Sequence, residues 1–199
     1  MGTKELRKRK IWQDYSGGKA GTAEKSFYQV FSQNFKNSDF RIRRNPNEFN
    51  NIYFNIKISK EVLGEIYTPD IKKWRHGVVP DYAIDNIKTK KTLYVEVKRQ
   101  DGWVEGKPRS AGRGNAHERS CKFFTPGLLK ILRKYGKLGN NVLPFWVVFI
   151  GDITRDPCRV REITCWYGKY SAHFFMWRDQ AYERPLIDHF NKKLKRLLT

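Results

Sequence analysis

Apolar positions along the chain recur with two different periods. Ala23, Phe27, Val30, Phe31 and Phe35 stand three and four residues apart, which predicts an amphipathic helix with Thr22 as a plausible N-cap. Ile52, Phe54, Ile56 and Ile58 instead alternate with Tyr53, Asn55 and Lys57, so 52–58 reads as a half-buried strand. The basic, Asn-rich stretch 40–50 between them reads as loop. Glu61 to Tyr67 is a short helix candidate that Thr68-Pro69-Asp70 would end. Asp81–Ile84 and Thr92–Lys98 are strand-like runs, and the short polar linker DNIKTKK between them suits a β-hairpin.

Beyond the hairpin, 101–116 is glycine-rich, poor in apolar residues and irregular, and Asn115 to Lys122 can be helical. Thr125-Pro126, an N-cap followed by proline at the first helical position, opens a helix that carries Leu128, Leu129, Ile131, Leu132 and Tyr135 and closes at Gly136. The run Pro144 to Ile150 is the most apolar in the chain and reads as a central strand buried on both faces. Asp156-Pro157 starts another helix, 172–177 reads as a strand, and 186–198 reads as a basic amphipathic helix with Leu186, Phe190, Leu194 and Leu197 on one face. Helices and strands mixed around one core set of strands indicate an α/β sandwich. No repeat, low-complexity tract or second domain is visible, so 1–199 is expected to be one domain.

Composition narrows the function. The 199 residues suit a single core, and thirteen Phe, ten Tyr and six Trp exclude a disordered chain. Lys and Arg number 40 against 20 acids, a formal charge of +20. A compact chain this basic repels itself unless it meets a polyanion: nucleic acid first, an acidic membrane surface second. No stretch is apolar enough to span a bilayer. The basic run within MGTKELRKRKIWQDY lacks an apolar segment after it, so it is no secretory signal. It reads equally as a solvated tail or a DNA-contacting arm over 1–21. Cys121, Cys158 and Cys165 match no disulfide or metal framework and point to reduced thiols in the cytoplasm. The four scattered histidines give no zinc spacing. Nothing in the sequence assigns partners to Arg41, Arg43, Arg44 or the basic C-terminal helix.

Two constellations carry candidate chemistry. The first is Pro80-Asp81, fourteen intervening residues, then Glu96-Val97-Lys98. On a strand Glu96 and Lys98 share one face while Val95 and Val97 take the other, and a hairpin lets Asp81 approach Glu96. Two carboxylates 4 Å apart repel by roughly 4 kcal/mol at an effective dielectric of 20. A hard divalent cation such as Mg²⁺ between them and a phosphate relieves that repulsion and supports phosphodiester hydrolysis, with Lys98 orienting water or stabilising developing charge. The bare pattern also fits a surface hairpin with an ordinary Glu/Lys pair. The second is Ala111-Gly112-Arg113-Gly114-Asn115-Ala116-His117-Glu118-Arg119-Ser120. Asn suits an adenine edge, Arg suits a guanine edge, and Asn115, Glu118 and Arg119 fall on one helical face. A capped surface helix with a Glu/Arg pair explains the same residues.

Together these segments resemble the EcoRI/MunI group of type II restriction endonucleases. The likeness runs through Lys98-Arg99-Gln100-Asp101-Gly102-Trp103-Val104-Glu105-Gly106-Lys107, Arg113 to Lys122, Phe124-Thr125-Pro126-Gly127-Leu128-Leu129, Pro144 to Phe149 and Gly151 to Pro157, nearly the whole chain. It implies a restriction-endonuclease-like PD-(D/E)xK core, a mixed central sheet flanked by helices. It implies catalytic Asp81, Glu96 and Lys98, with Mg²⁺ on Asp81, Glu96 and the backbone carbonyl of Val97. It implies that Gly114, Asn115, Ala116, Glu118 and Arg119 read an AATT core, and that Arg113, absent from EcoRI-type enzymes, is tied to an outer C·G pair. The implied enzyme is a bacterial cytoplasmic homodimer on double-stranded DNA, cutting CAATTG after the first C, beside a methyltransferase of the same specificity and no membrane. The residues alone leave open a non-catalytic DNA-binding protein and a structure-directed nuclease with the same acid–acid–lysine core.

Overall fold

In a computed structural model the described residues are 25–53, 59–63, 76–102, 104–108 and 115–199. They form a five-stranded mixed sheet between two layers of helices. The strands are β1 (Phe40–Arg44), β2 (Tyr82–Asn86), β3 (Thr92–Arg99), β4 (Phe145–Ile150) and β5 (Phe174–Trp177), lying in chain order across the sheet. β1, β2 and β3 pair antiparallel; β3, β4 and β5 pair parallel. The change of sense falls at β3, because β2 and β3 share a tight hairpin whereas each later strand is reached through helices.

Strand alternation sorts the core into two layers. Tyr82, Ile84, Leu93, Val95, Val97, Trp146, Val148 and Ile150 face helix α1 (residues 25–34) and the C-terminal helices. Ala83, Tyr94, Phe145, Val147 and Phe149 face α4 (Pro126–Gly136) and α5 (Pro157–Tyr167). The remaining helices are short: α2 (Lys60–Leu63), α3 (Ala116–Arg119), α6 (Arg184–His189) and α7 (Lys195–Leu198). Every residue of β4 is buried, as its unbroken apolar run predicts. Asp156 caps α5 as expected, accepting from the N–H groups of Cys158 and Arg159 at 3.0 and 3.1 Å.

Four expectations change. Residues 40–44 are an edge strand rather than loop. Arg41 and Arg43 put their guanidinium groups on buried Asp85 of β2, at 2.9 and 2.6 Å, and Arg43 also reaches Glu48 at 2.6 Å. The third arginine of that stretch, Arg44, lies 3.8 Å over the ring of Tyr28. Thr125 precedes α4 without capping it, because its hydroxyl donates to the Lys122 carbonyl at 2.7 Å. The C-terminal helix passes through a π turn at Phe190–Leu194. A π turn is wider than an α turn, so Leu198, four residues past Leu194, is fully buried and Leu197 only partly. Of the strand expected at 52–58, Ile52 and Tyr53 lie in a turn and 54–58 fall outside the described residues, as do most of the helix expected at 61–67 and all of 1–21. Among the described residues no helix is long and apolar enough to cross a membrane.

Candidate active site

Asp81, Glu96 and Lys98 meet where the hairpin opens. The register pairs Tyr82 with Val95, and one step further sets Asp81 opposite Glu96. Both side chains share parity with the Ala83–Tyr94 face, the one carrying α4 and α5. One Asp81 carboxylate oxygen accepts the Val97 N–H at 2.7 Å. The N–H and C=O of a strand residue leave on the same edge, so the Val97 carbonyl projects toward Asp81, beyond the last β2–β3 pair. Glu96 is 3% exposed, between Val95 and Val97 in the middle of the sheet. Its Oε1 accepts from the Lys98 ammonium at 2.5 Å, and its Oε2 is buried with no hydrogen-bond partner.

A carboxylate this buried loses most of its hydration, and one neighbouring ammonium answers only one of its oxygens. The second oxygen is left to act as a donor at the end of the hairpin that also carries Asp81 and the Val97 carbonyl. All three are hard oxygen donors, which suits a hard divalent ion such as Mg²⁺ better than zinc or copper. The set holds two acids, and among the described residues no group of three His, Cys, Asp or Glu residues gathers anywhere. The donor set therefore fits a weakly chelated ion that keeps much of its own water.

Of the second constellation the described part, 115–120, packs near this end of the sheet through the His117–Gln100 contact. Asn115 is exposed and its side chain makes no cap, so its amide is left to solvent; Glu118 and Arg119 are exposed beside it, and Ala116 is half-buried. Arg113 and Gly114 fall outside the described residues. The described residues of the approach, 101, 102 and 104–108, are held by side chains rather than by helix or strand. Gly102 N–H donates to Asp152 at 3.0 Å and Glu105 N–H to the capping Asp156 at 3.2 Å. Arg99 grips Asp101 at 2.8 Å. Gly151, at φ +89°, lies so close that a Cβ there would stand 2.5 Å from Asp101 Oδ1.

Two residues near the site were not singled out from sequence. Lys122, in the 3₁₀ turn Ser120–Phe124 that continues α3, brings its ammonium 3.7 Å from Glu96 Oε1, a second cation on the same carboxylate. His117 is 1% exposed inside α3, where the pattern suggested an exposed helix. Neither carries a local signal. A lysine in so basic a chain is unremarked, and Gln100 and Trp166, against which the His117 ring is set, lie elsewhere in the sequence.

Compared with known proteins, the family model described as "Type II restriction enzyme MunI" matches residues 1–199. The chain belongs to the MunI family of type II restriction enzymes. The type II restriction enzyme MunI of a Mycoplasma species is 51% identical over 201 residues, all of both chains. A crystal structure of MunI restriction endonuclease in complex with cognate DNA superposes with a TM-score of 0.80 at 50% identity, covering 94% of this chain and 97% of that one. The fold is thus restriction-endonuclease-like, and the MunI-family chain is a site-specific deoxyribonuclease by class.

Proposed function

We propose that the protein is a magnesium-dependent homodimer that cuts double-stranded DNA at CAATTG as C/AATTG. The products are 5′-phosphate ends with four-base 5′ overhangs. The observation that carries the reading is the buried Glu96 carboxylate, with Lys98 on one oxygen and no partner on the other, next to Asp81 at the open end of the hairpin.

In this reading Asp81, Glu96 and the Val97 carbonyl hold the Mg²⁺. When bound, the ion supplies Lewis acidity toward the phosphoryl oxygen and lowers the pKa of a coordinated water. The chain's own residues do the rest. Lys98, fixed by Glu96, presents a positive charge where the phosphate becomes more negative and orients the attacking water. Asp81 is fixed through the Val97 N–H, so the two carboxylates keep their separation as the phosphate arrives. Water attacks in line, the P–O3′ bond breaks, and the 3′-oxygen leaves as a hydroxyl with no covalent enzyme intermediate.

Asn115, Ala116, Glu118 and Arg119, with Gly114, read the AATT core in the major groove, and Arg113 reads the outer C·G pair. A palindrome presents the same face to each half of a two-fold symmetric reader, so two copies straddle the duplex with one cutting site per strand. The chain acts as one domain over 1–199, in the bacterial cytoplasm, alongside a methyltransferase that shields host CAATTG sites. Digestion of a plasmid of known sequence with Mg²⁺, followed by end sequencing, tests the assignment. Every end should begin 5′-AATTG. Ends that track junctions or single strands, or binding that never yields cleavage, would replace the reading with a structure-directed nuclease or a non-catalytic binder.

A further inference from the structure

His117 sits in α3 between the residues proposed to touch bases, yet its own side chain turns inward. Its Nδ1 donates to the side-chain carbonyl of Gln100 at 3.1 Å. Its ring lies flat against the indole of Trp166 on α5, 2° from parallel with centroids 5.6 Å apart. Its Nε2 is 3.8 Å from Glu118 and 3.7 Å from Glu162, and its carbonyl accepts the Ser120 hydroxyl at 2.6 Å. Gln100 follows Lys98 by two residues and is itself fixed. Its N–H donates to the Ile150 carbonyl and its carbonyl accepts from the Ile153 N–H, at 3.0 and 3.1 Å. Its backbone is therefore held in a rigid frame at the end of β3 and β4, about 7 Å along the strand from Lys98, and its side chain is buried. Along α3, His117 is about 3 Å from Asn115 and 1.5 Å from Glu118.

We propose that His117 is a positioning residue that couples base reading to cutting through Gln100. The inference rests on the proposed roles of 115–119 and of Asp81, Glu96 and Lys98. When Asn115, Glu118 and Arg119 engage the correct bases, α3 seats on the duplex. The His117–Gln100 bond, backed by Trp166, carries that seating to the strand end that holds Lys98. Wrong bases leave α3 unseated, and the strand end stays short of the productive arrangement.

His117→Phe keeps a buried ring against Trp166 and removes the donor. Its cleavage rate, measured under single-turnover conditions with Mg²⁺, should fall roughly ten- to hundred-fold on CAATTG, the size of effect that small misplacements produce. The rate on hexamers with one central base pair changed should fall little, so discrimination is compressed. DNA affinity without metal should stay within about threefold. His117→Asn, whose amide can donate to Gln100, should recover most of the discrimination. Gln100→Leu removes the acceptor instead, gives an independent reading if His117→Phe does not fold, and should add no further compression in the double variant. Equal losses on correct and altered sites, or unchanged discrimination in both single variants, would overturn the coupling. Failure of the unmutated enzyme to prefer CAATTG would instead overturn the proposed function.

Discussion

Glu96 keeps a carboxylate in the middle of a sheet with two ammonium groups on one side and an unanswered oxygen on the other. Glu96→Gln preserves its shape and removes the charge. It should lower cleavage by about a thousand-fold or more while DNA binding without metal stays within a few-fold, as gel shift and single-turnover assays would read. Full turnover by this variant would remove Glu96 from the chemistry. His173 makes a different statement about buried charge. Burial pulls its imidazole down to about 4, against a backbone hydrogen bond to the Phe145 carbonyl and with a smaller push from His189. Above pH 6.5 neither the folded nor the unfolded chain protonates it, and its contribution is complete. As pH falls from 6.5 toward 4 the unfolded chain takes up a proton that the folded one refuses, and about 3 kcal/mol is lost. Denaturant midpoints measured from pH 7.5 to 4.5 should fall, and His173→Gln should flatten that part of the curve. At this scale the acids and Lys98 were legible in the sequence because two-residue spacing on a strand fixes their face. His117 and Lys122 were not, because what gives them meaning is Gln100 and Glu96, brought near only by the fold.

β1 shows why one element was hidden. Phe40-Arg41-Ile42-Arg43-Arg44 alternates like a strand, with Phe40 and Ile42 toward the core, but its arginines lie in a basic, Asn-rich stretch. Edge strands tolerate charge when something answers it, and charge on an edge also discourages pairing with another chain. Asp85, 44 residues past Arg41, is the answer. Burial alone would raise its carboxyl, but hydrogen bonds from Arg43, Thr92 and Arg41 outweigh that and hold it below the usual carboxylate range. This stabilises the fold above the unfolded-state pKa and fades as pH falls through the lower folded value. Asp85→Asn should cost about 2 kcal/mol at neutral pH, because Arg43 loses one of its two charge partners while Arg41 can turn to water. For a chain of this length that is a fall of about 5 °C in Tm, readable by calorimetry. An unchanged Tm would mean that the Arg43–Glu48 pair suffices to anchor β1. β3, β4 and α4 were readable at their core positions, since each carries its own pattern, whereas of α5 only the start at Asp156-Pro157 was read. The π turn was not, because a one-residue widening of a helix shows only in which leucine ends buried.

At the scale of the whole molecule, a charge of +20 and a pair of acids per chain have to be combined. The positive charge draws the duplex in without regard to sequence, with an affinity that falls by about 0.9 logarithmic units per tenfold salt for each phosphate neutralised. If the proposed site is a palindrome cut in both strands, two copies of the Asp81–Glu96–Lys98 set are needed, because each chain brings one hairpin end and the scissile phosphates belong to opposite strands. Subunit independence is expected on the same geometry, since one chain brings Asp81, Glu96, Lys98 and Lys122 together. A purified heterodimer of one unmutated and one Glu96→Gln chain should therefore nick supercoiled plasmid at CAATTG and stall at the open circle, where the unmutated homodimer goes on to linear DNA. Gel separation of the three plasmid forms over time reads the outcome. Linear product from the heterodimer at the homodimer's rate would mean that one site serves both strands, and the two-fold arrangement would have to be abandoned.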